Sequence, residues 1–164
     1  MDNFIRVYQN AFSNELCDRL ISKFESTELE ERERHDLGEM HFSQVNFREC
    51  GWKQEQEELV HIFLSHTKRY TQDLNITSEF PEKYALEDIR LKKYMPDGYD
   101  QFGPHVDVVD KNTSTRFLVF FVYLDDNIGG GTHFDRINLT SPCKKGSMLV
   151  FPPCAIGLLL PGQC

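Results

Sequence analysis

The stretch "RFLVFFVYLDD", residues 116–126, is the most apolar segment of the chain and decides the fold class that we predict. Apolar side chains follow one another from Phe117 to Leu124, so an extended segment here would be apolar on both faces. A β-strand of this kind must be covered on both sides. We therefore predict a sheet with helices packed outside it and a packed pocket inside.

The segments on either side of this strand predict further short strands separated by turns. "LEDIRLKKYM" (86–95) alternates apolar and basic residues, which is a strand pattern. "PDGYDQFGP" (96–104) has the composition of a turn. The other predicted strands are three short segments bounded by Gly, Pro and Ser, namely "GGGTHF", "RINL" and "SMLVFPP".

The N-terminal half predicts two amphipathic helices. Ser13 can cap the first helix, with Glu15 favourably placed in its first turn. The second helix is predicted at 53–74. The dense mixed charge of residues 25–39 predicts a solvated helix end or a mobile loop. The buried stripes that we expect are Leu16, Leu20, Ile21 and Phe24 on the first helix, and Leu59, Phe63, Thr67, Tyr70 and Leu74 on the second.

Two helices followed by a run of short strands predict an α+β chain whose strands form a jelly-roll barrel, with the N-terminal helices packed outside it. A length of 164 residues and a hydrophobic content of 40% suit a single domain with a substantial core. We divide it into a helical support region at 1–85, a jelly-roll core at 86–153 and an atypical tail at 154–164.

The composition argues against some partners. With 18 basic and 26 acidic residues the net charge is -8, which disfavours nucleic acid and anionic membrane surfaces. No apolar run approaches the roughly 20 residues that span a bilayer, and the N-terminus does not resemble a signal peptide. Five cysteines without a CxxC pair predict free thiols in a reducing compartment, so we expect a cytoplasmic protein.

The segment "GPHVDVVD" (103–110) contains a His and an Asp two residues apart. On an extended segment such residues point to the same side, so His105 and Asp107 can converge on one ion. An imidazole and a carboxylate, together with a second His, form the facial triad of non-haem Fe(II) sites. The same spacing also arises by chance in polar turns, so spacing alone leaves both interpretations open.

The order of these segments resembles the 2-oxoglutarate- and Fe(II)-dependent dioxygenases, and within them the prolyl 4-hydroxylase-like group. "KYMPDGY" resembles the strand and turn before the metal strand, "HVD" the first two iron ligands, and "TRFLVFFVYLDD" the long central strand. "GGGTHF" resembles the glycine turn and "KKGSMLVFPP" the strand leading to the third ligand. The resemblance implies a double-stranded β-helix and the hydroxylation of a peptidyl proline or a similar peptide or small-molecule substrate. It also implies Fe(II) and 2-oxoglutarate, with ascorbate as a further candidate cofactor.

The resemblance also implies roles for five residues. His105 and Asp107 would hold the iron. Tyr94 matches a tyrosine that reaches the 2-oxoglutarate carboxylate, and Tyr123 matches another on the central strand. Either tyrosine could instead be an amphipathic core residue. Arg116 matches a basic residue near the substrate entrance and could equally be a surface arginine.

The pattern is interrupted after "FPP". The family has a second His at a position that corresponds roughly to Leu159, and a basic residue on the following strand, but "CAIGLLLPGQC" (154–164) contains no His, Lys or Arg. One explanation is a truncated or frame-shifted chain that lacks the last barrel strand. The other is a different third ligand, either His133 or Cys154. Strand alternation argues against His133, and we favour truncation.

These departures predict impaired turnover in this form, because two protein ligands hold a divalent ion less firmly than three. Two rival functions remain open. One is a non-catalytic or degenerate jelly-roll binding domain. The other is a small cupin-type jelly roll that binds a metal but uses no 2-oxoglutarate.

Overall fold

The computed structural model describes residues 4–96 and 98–153 of the chain, and these combine α-helices with short antiparallel β-strands. The helices are α1 (Asn14–Ser26) and α2 (Lys53–Asp73). The strands are β1 (Arg6–Tyr8), β2 (Glu33–Leu37), β3 (Met40–Asn46), β4 (Arg90–Lys93), β5 (Gln101–Phe102), β6 (Val119–Val122), β7 (Asn127–Phe134), β8 (Leu139–Cys143) and β9 (Met148–Phe151).

Both predicted helices are present, and each is explained by a feature of its own sequence. The Ser13 side chain accepts a hydrogen bond from the backbone N–H of Leu16 at 3.2 Å, which satisfies one donor of the first turn of α1. On α2 the buried residues Leu59, Thr67 and Tyr70 follow the predicted stripe. Neither helix of the described ranges has an apolar stretch long enough to cross a membrane.

Within the described residues the strands form three antiparallel sheets. The first has the order β1-β9-β6 and the third consists of β7 and β8. In the second sheet β3 lies between β2 and β4, and the short β5 pairs with the start of β3. The mixture of helix and sheet that we predicted is confirmed. Jelly-roll closure, loss of a last strand and the three-part division of the chain remain predictions.

Strand β6 has apolar neighbours on both faces, as its sequence predicts. Phe120 and Val122 pack on the main core, which contains the buried faces of both helices. Val119 and Phe121 pack on a second cluster, which contains Phe134 of β7 and Leu149 and Phe151 of β9. The helices therefore cover one side of this sheet, and the β7–β8 hairpin contributes to the cover on the other side.

Three local expectations were wrong. Residues 33–37, expected in a solvated segment, form β2, whose backbone pairs with β3 while most of its side chains are exposed and show no apolar alternation. "RINL" contains a 3-10 turn at 135–137 and Asn138 at φ +49°, so only its last residue begins β8. The segment with His105 and Asp107 is not a strand but a loop between β5 and β6.

Candidate functional site

His105 and Asp107 lie side by side in that loop. The Nε2 atom of His105 is 3.5 Å from Oδ1 of Asp107, and each side chain is about one-third exposed, at 32% and 29%. The Nδ1 atom of His105 lies 3.0 Å from the Gly103 carbonyl, so its proton is donated there and the Nε2 lone pair faces the carboxylate. The Asp107 carboxylate accepts a hydrogen bond from Nε2 only when the ring is protonated, and this raises the pKa of His105. The two groups converge although the segment is not a strand.

Gly103 fixes the start of this loop against the turn between β2 and β3. Its N–H donates to the Glu39 carbonyl at 2.8 Å. A Cβ atom at position 103 would lie 2.5 Å from Cβ of Glu39, so only glycine allows this approach. The carbonyl that orients His105 is therefore fixed by backbone contact with a part of the chain that is distant in sequence.

Arg116 fixes the other side of the loop. Its Nε and Nη2 atoms donate to the two carboxylate oxygens of Glu87 at 2.6 and 3.0 Å. Its Nη1 atom donates to the backbone carbonyl of Asp107 at 2.9 Å. The guanidinium thus joins the backbone of the loop that carries His105 and Asp107 to the segment before β4. Its predicted contact with substrate remains a prediction.

A chain of aromatic contacts connects Tyr94 with His105. The ring of Phe102 meets that of His105 at a centroid distance of 4.3 Å and 82°, and Phe42 lies 5.4 Å from Phe102 and 5.7 Å from Tyr94. Desolvation, reinforced by the Asp100 carboxylate, raises the pKa of Tyr94 to about 12. Its hydroxyl is therefore a neutral donor, and no residue of the described ranges hydrogen-bonds to it. Two aromatic rings thus lie between Tyr94 and His105, and the predicted role of Tyr94 in 2-oxoglutarate binding remains a prediction.

Tyr123 belongs to a different environment. Its hydroxyl lies 2.8 Å from Oγ1 of Thr132 and accepts the Thr132 N–H at 3.1 Å. Its ring packs on Phe121 in the second cluster. Within the described ranges no hydrogen bond, ion pair or ring contact joins it to His105 or Asp107. Its predicted role in 2-oxoglutarate binding remains a prediction.

The alternative ligand His133 points to the outer face of β7. Its Nδ1 atom lies 2.8 Å from Oγ1 of Thr140 and its Nε2 atom 3.4 Å from Oδ1 of Asp135, whereas the neighbouring Phe134 is buried. In the part of the chain that the structure describes, no three His, Cys, Asp or Glu side chains cluster closely enough to hold a metal. Cys154 and Leu159 lie outside the described residues.

Lys92 is a partly buried cation near the His105–Asp107 pair that the sequence analysis did not single out. Its ammonium lies 4.3 Å from the ring centroid of Phe42 and 4.0 Å from that of Phe102. Desolvation, helped by the charge of Arg90, lowers the pKa of Lys92 to about 8, although the carboxylates of Asp107 and Glu33 act in the opposite direction. The available signal was its position in "KKY", two residues before Tyr94 and therefore on the same side of an extended segment.

No protein-family model matches the chain, and no curated protein matches it. Among solved structures, a viral collagen prolyl hydroxylase from Paramecium bursaria chlorella virus 1, in complex with 2-oxoglutarate, superposes with a TM-score of 0.61 at 20% identity. The match covers 91% of this chain and 77% of that enzyme. The chain shares its fold with a prolyl hydroxylase. A truncated form of the viral enzyme gives a TM-score of 0.56 at 19% identity, covering 96% and 78% of the two chains.

The resemblance described for the sequence implies an iron centre, and His105 and Asp107 supply two of the three ligands that it expects. A metal-binding His usually donates its second ring N–H to a fixed acceptor, as His105 does to Gly103. A free Nε2 and an adjacent carboxylate are two of the three donors of a facial triad. The described ranges supply this pair, and the expected third position falls in the tail outside them.

The lowered pKa of Lys92 predicts a pH dependence of stability. In the unfolded chain this pKa returns to its ordinary value of 10.5, whereas in the fold it is about 8. Between these values the unfolded state binds more protons, so the free energy of unfolding rises with pH. We expect this rise, on the order of 1–3 kcal/mol, to be absent in Lys92→Met when urea unfolding is measured from pH 7.5 to 10.5.

Lys93→Met is the matched control, because Lys93 is adjacent in sequence but its ammonium pairs with Glu25 at 2.5 Å. This variant should keep the rise. An identical pH profile for wild type and Lys92→Met would show that Lys92 is not desolvated in the folded protein.

Proposed function

We propose that the chain is a 2-oxoglutarate- and Fe(II)-dependent dioxygenase that hydroxylates a peptidyl proline or a similar peptide or small-molecule substrate in the cytoplasm. The observation that carries this proposal is the convergence of His105 Nε2 and Asp107 Oδ1 at 3.5 Å in a chain with a prolyl hydroxylase fold. The acidic composition supports a reaction that involves neither nucleic acid nor an anionic membrane surface.

Within this proposal each residue near the pair has a defined task. His105 and Asp107 would hold Fe(II), which would supply the redox chemistry with dioxygen. The Gly103 carbonyl retains the proton on Nδ1 of His105, so that Nε2 stays available as a ligand. Arg116 holds the backbone of Asp107 in place. The neutral hydroxyl of Tyr94 donates a hydrogen bond to a carboxylate of 2-oxoglutarate.

The test is succinate release from 2-oxoglutarate by the full chain, in the presence of Fe(II), ascorbate and oxygen, with and without a proline-rich peptide. We expect succinate above the level of a His105→Ala control, even if the release is slow and partly uncoupled from substrate. Release equal to that control, from a protein whose circular dichroism matches that of the wild type, would contradict the dioxygenase proposal.

A second candidate is a non-catalytic domain that keeps the fold for binding. The observation that favours it is the lack of a third ligand beside His105 and Asp107 within residues 4–96 and 98–153. This candidate predicts no succinate release, although the protein is folded. Bound zinc or manganese, together with a melting temperature that 2-oxoglutarate leaves unchanged, would instead favour a metal-binding jelly roll of cupin type.

A further inference from the structure

Strand β6 lies at the edge of its sheet, where it pairs only with β9 among the described residues. The N–H of Tyr123 donates to the Ser147 carbonyl at 3.0 Å, which sets the phase of this ladder. Because the hydrogen-bonding direction alternates along a strand, the backbone groups of Phe121 also face β9. Those of Phe120 and Val122 face the open edge, and no other backbone hydrogen bond of the described residues involves them.

The other edge strands have features that discourage pairing with a second chain. Three of the five residues of β2 are charged, and three of the four residues of β4 are basic. Strand β1 has only three residues, β7 contains three glycines and an irregular register, and β8 contains Pro142. Charge, short length, irregularity and proline all protect sheet edges. Strand β6 has none of these features, since its four residues are apolar and partly exposed.

The packing on the two faces of β6 determines which kind of strand fits its edge. Phe120 and Val122 pack on the main core, whereas Val119 and Phe121 pack on the second cluster. A strand added here would extend both layers, so it must carry apolar side chains on both of its faces. Strand β6 itself meets this requirement, and a second copy of the chain is therefore a matching partner.

The charges that flank β6 are complementary in an antiparallel pair. Arg116 precedes the strand, and Asp125 and Asp126 follow it. Both carboxylates are exposed, and in the part of the chain that the structure describes they accept hydrogen bonds only from backbone N–H groups. When Phe120 lies opposite Val122 of a second copy, the antiparallel register places Arg116 opposite Asp126 at both ends of the pair.

We propose that the chain forms a two-fold symmetric dimer in which β6 pairs antiparallel with β6 of a second copy. Phe121 lies at the two-fold axis, and the free N–H and C=O groups of Phe120 and Val122 form hydrogen bonds across it. The sheets of order β1-β9-β6 then join into one sheet whose helix-covered faces lie on the same side. This inference is independent of the proposed function, because neither a metal nor 2-oxoglutarate takes part in the pairing.

The experiment measures dimer formation by the full chain, using sedimentation velocity at increasing protein concentration. Since the paired edge is short, we expect a weak dimer with a Kd on the order of 100 μM. Amide hydrogen exchange followed by NMR gives the contact at single residues. As the protein concentration rises, exchange should slow at Phe120 and Val122 and stay unchanged at Val119 and Phe121, whose N–H groups already donate to β9.

Charge reversal tests the register. Asp126→Lys should raise the Kd by about 10-fold, because it places a lysine opposite Arg116 at both ends of the pair. Asp125→Lys is the matched control, since it makes the same charge change at an adjacent exposed carboxylate that does not face Arg116 in this register. Its Kd should stay close to that of the wild type.

A mixture of two variants separates pairing from folding. Arg116→Glu alone should also weaken the dimer, because two carboxylates then face each other. Mixed with Asp126→Lys in equal amounts, it should form heterodimers of nearly wild-type affinity, since every carboxylate again faces a cation. A defect in the folding of either variant would not be repaired by mixing, and circular dichroism and melting temperature check each variant alone.

Three results would overturn the inference. One is a monomer at every concentration with fast exchange at Phe120 and Val122. Another is a monomer in which exchange at these two residues is slow, which would show that another part of the same chain covers the edge. The third is a dimer that Asp125→Lys and Asp126→Lys weaken equally, or that the mixture fails to restore, because the contact would then lie elsewhere.

Discussion

Replacing His105 by alanine is expected to lower the affinity for Mn(II) or Fe(II) by at least about 100-fold. Loss of an outer partner of a metal ligand already costs roughly 10- to 100-fold, and His105 would itself be a ligand. Its Nε2 atom is the nitrogen that faces Asp107, at 3.5 Å, while its Nδ1 atom is engaged by Gly103. Calorimetric titration of Mn(II) into wild type and variant, without 2-oxoglutarate, measures the difference.

His133→Ala is the control because this histidine is also partly exposed but is paired with Thr140 and Asp135 on the outer face of β7. We expect it to bind Mn(II) as the wild type does. An equal loss of affinity in His133→Ala would identify His133 as the third ligand and contradict the orientation of β7. Unchanged affinity in His105→Ala would remove the basis of the proposed site.

The helices and the central strand could be predicted because their signals are local. Ser13 is followed by residues at helical spacing, and its hydroxyl caps the helix that they form. The segment at 116–126 is apolar on both faces, and both faces of β6 are covered. Strands β2 and β3 were missed because β3 is placed by pairing with β4 and β5, which are distant in sequence, and β2 is placed by pairing with β3.

Contacts between segments that are distant in sequence also limited what could be predicted about the candidate site. The spacing of His105 and Asp107 predicted their convergence, although the cause differs, since a loop held by Gly103 and Arg116 replaces the expected strand. The environment of Lys92 could not be predicted, because Phe42 and Phe102 reach it from other strands. A motif can indicate which groups meet a metal, but the desolvation of a neighbouring cation depends on long-range packing.

Strand β4 connects the packing of the core with the geometry of the candidate site. Its alternation places Leu91 in the core and the Lys92 ammonium over the ring of Phe102, which contacts His105. The hydrophobic burial that fixes the register of β4 on β3 therefore also fixes the position of the cation, since a slip of one residue would exchange the two side chains. The geometry of the site is thus linked to the stability of the sheets, which can be tested independently of any ligand.

Phe134→Ala is expected to reduce the free energy of unfolding by about 3–5 kcal/mol, the usual cost of removing a buried phenylalanine. Phe134 is 1% exposed and meets Phe151 edge-on at 5.3 Å between ring centroids. It therefore connects the β7–β8 hairpin with strand β9 of the first sheet, and alanine would leave a cavity between them. Urea unfolding followed by circular dichroism measures the change in the wild type and the variant.

Ile128→Ala is the matched control, because Ile128 is an apolar residue of the same strand that is fully exposed. Its replacement should change the free energy of unfolding by less than about 0.5 kcal/mol. If Phe134→Ala behaved like Ile128→Ala, the hairpin would not pack on the first sheet in solution. In that case the side of β6 that carries Val119 and Phe121 would lack this cover, although the apolar sequence of β6 requires cover on both faces.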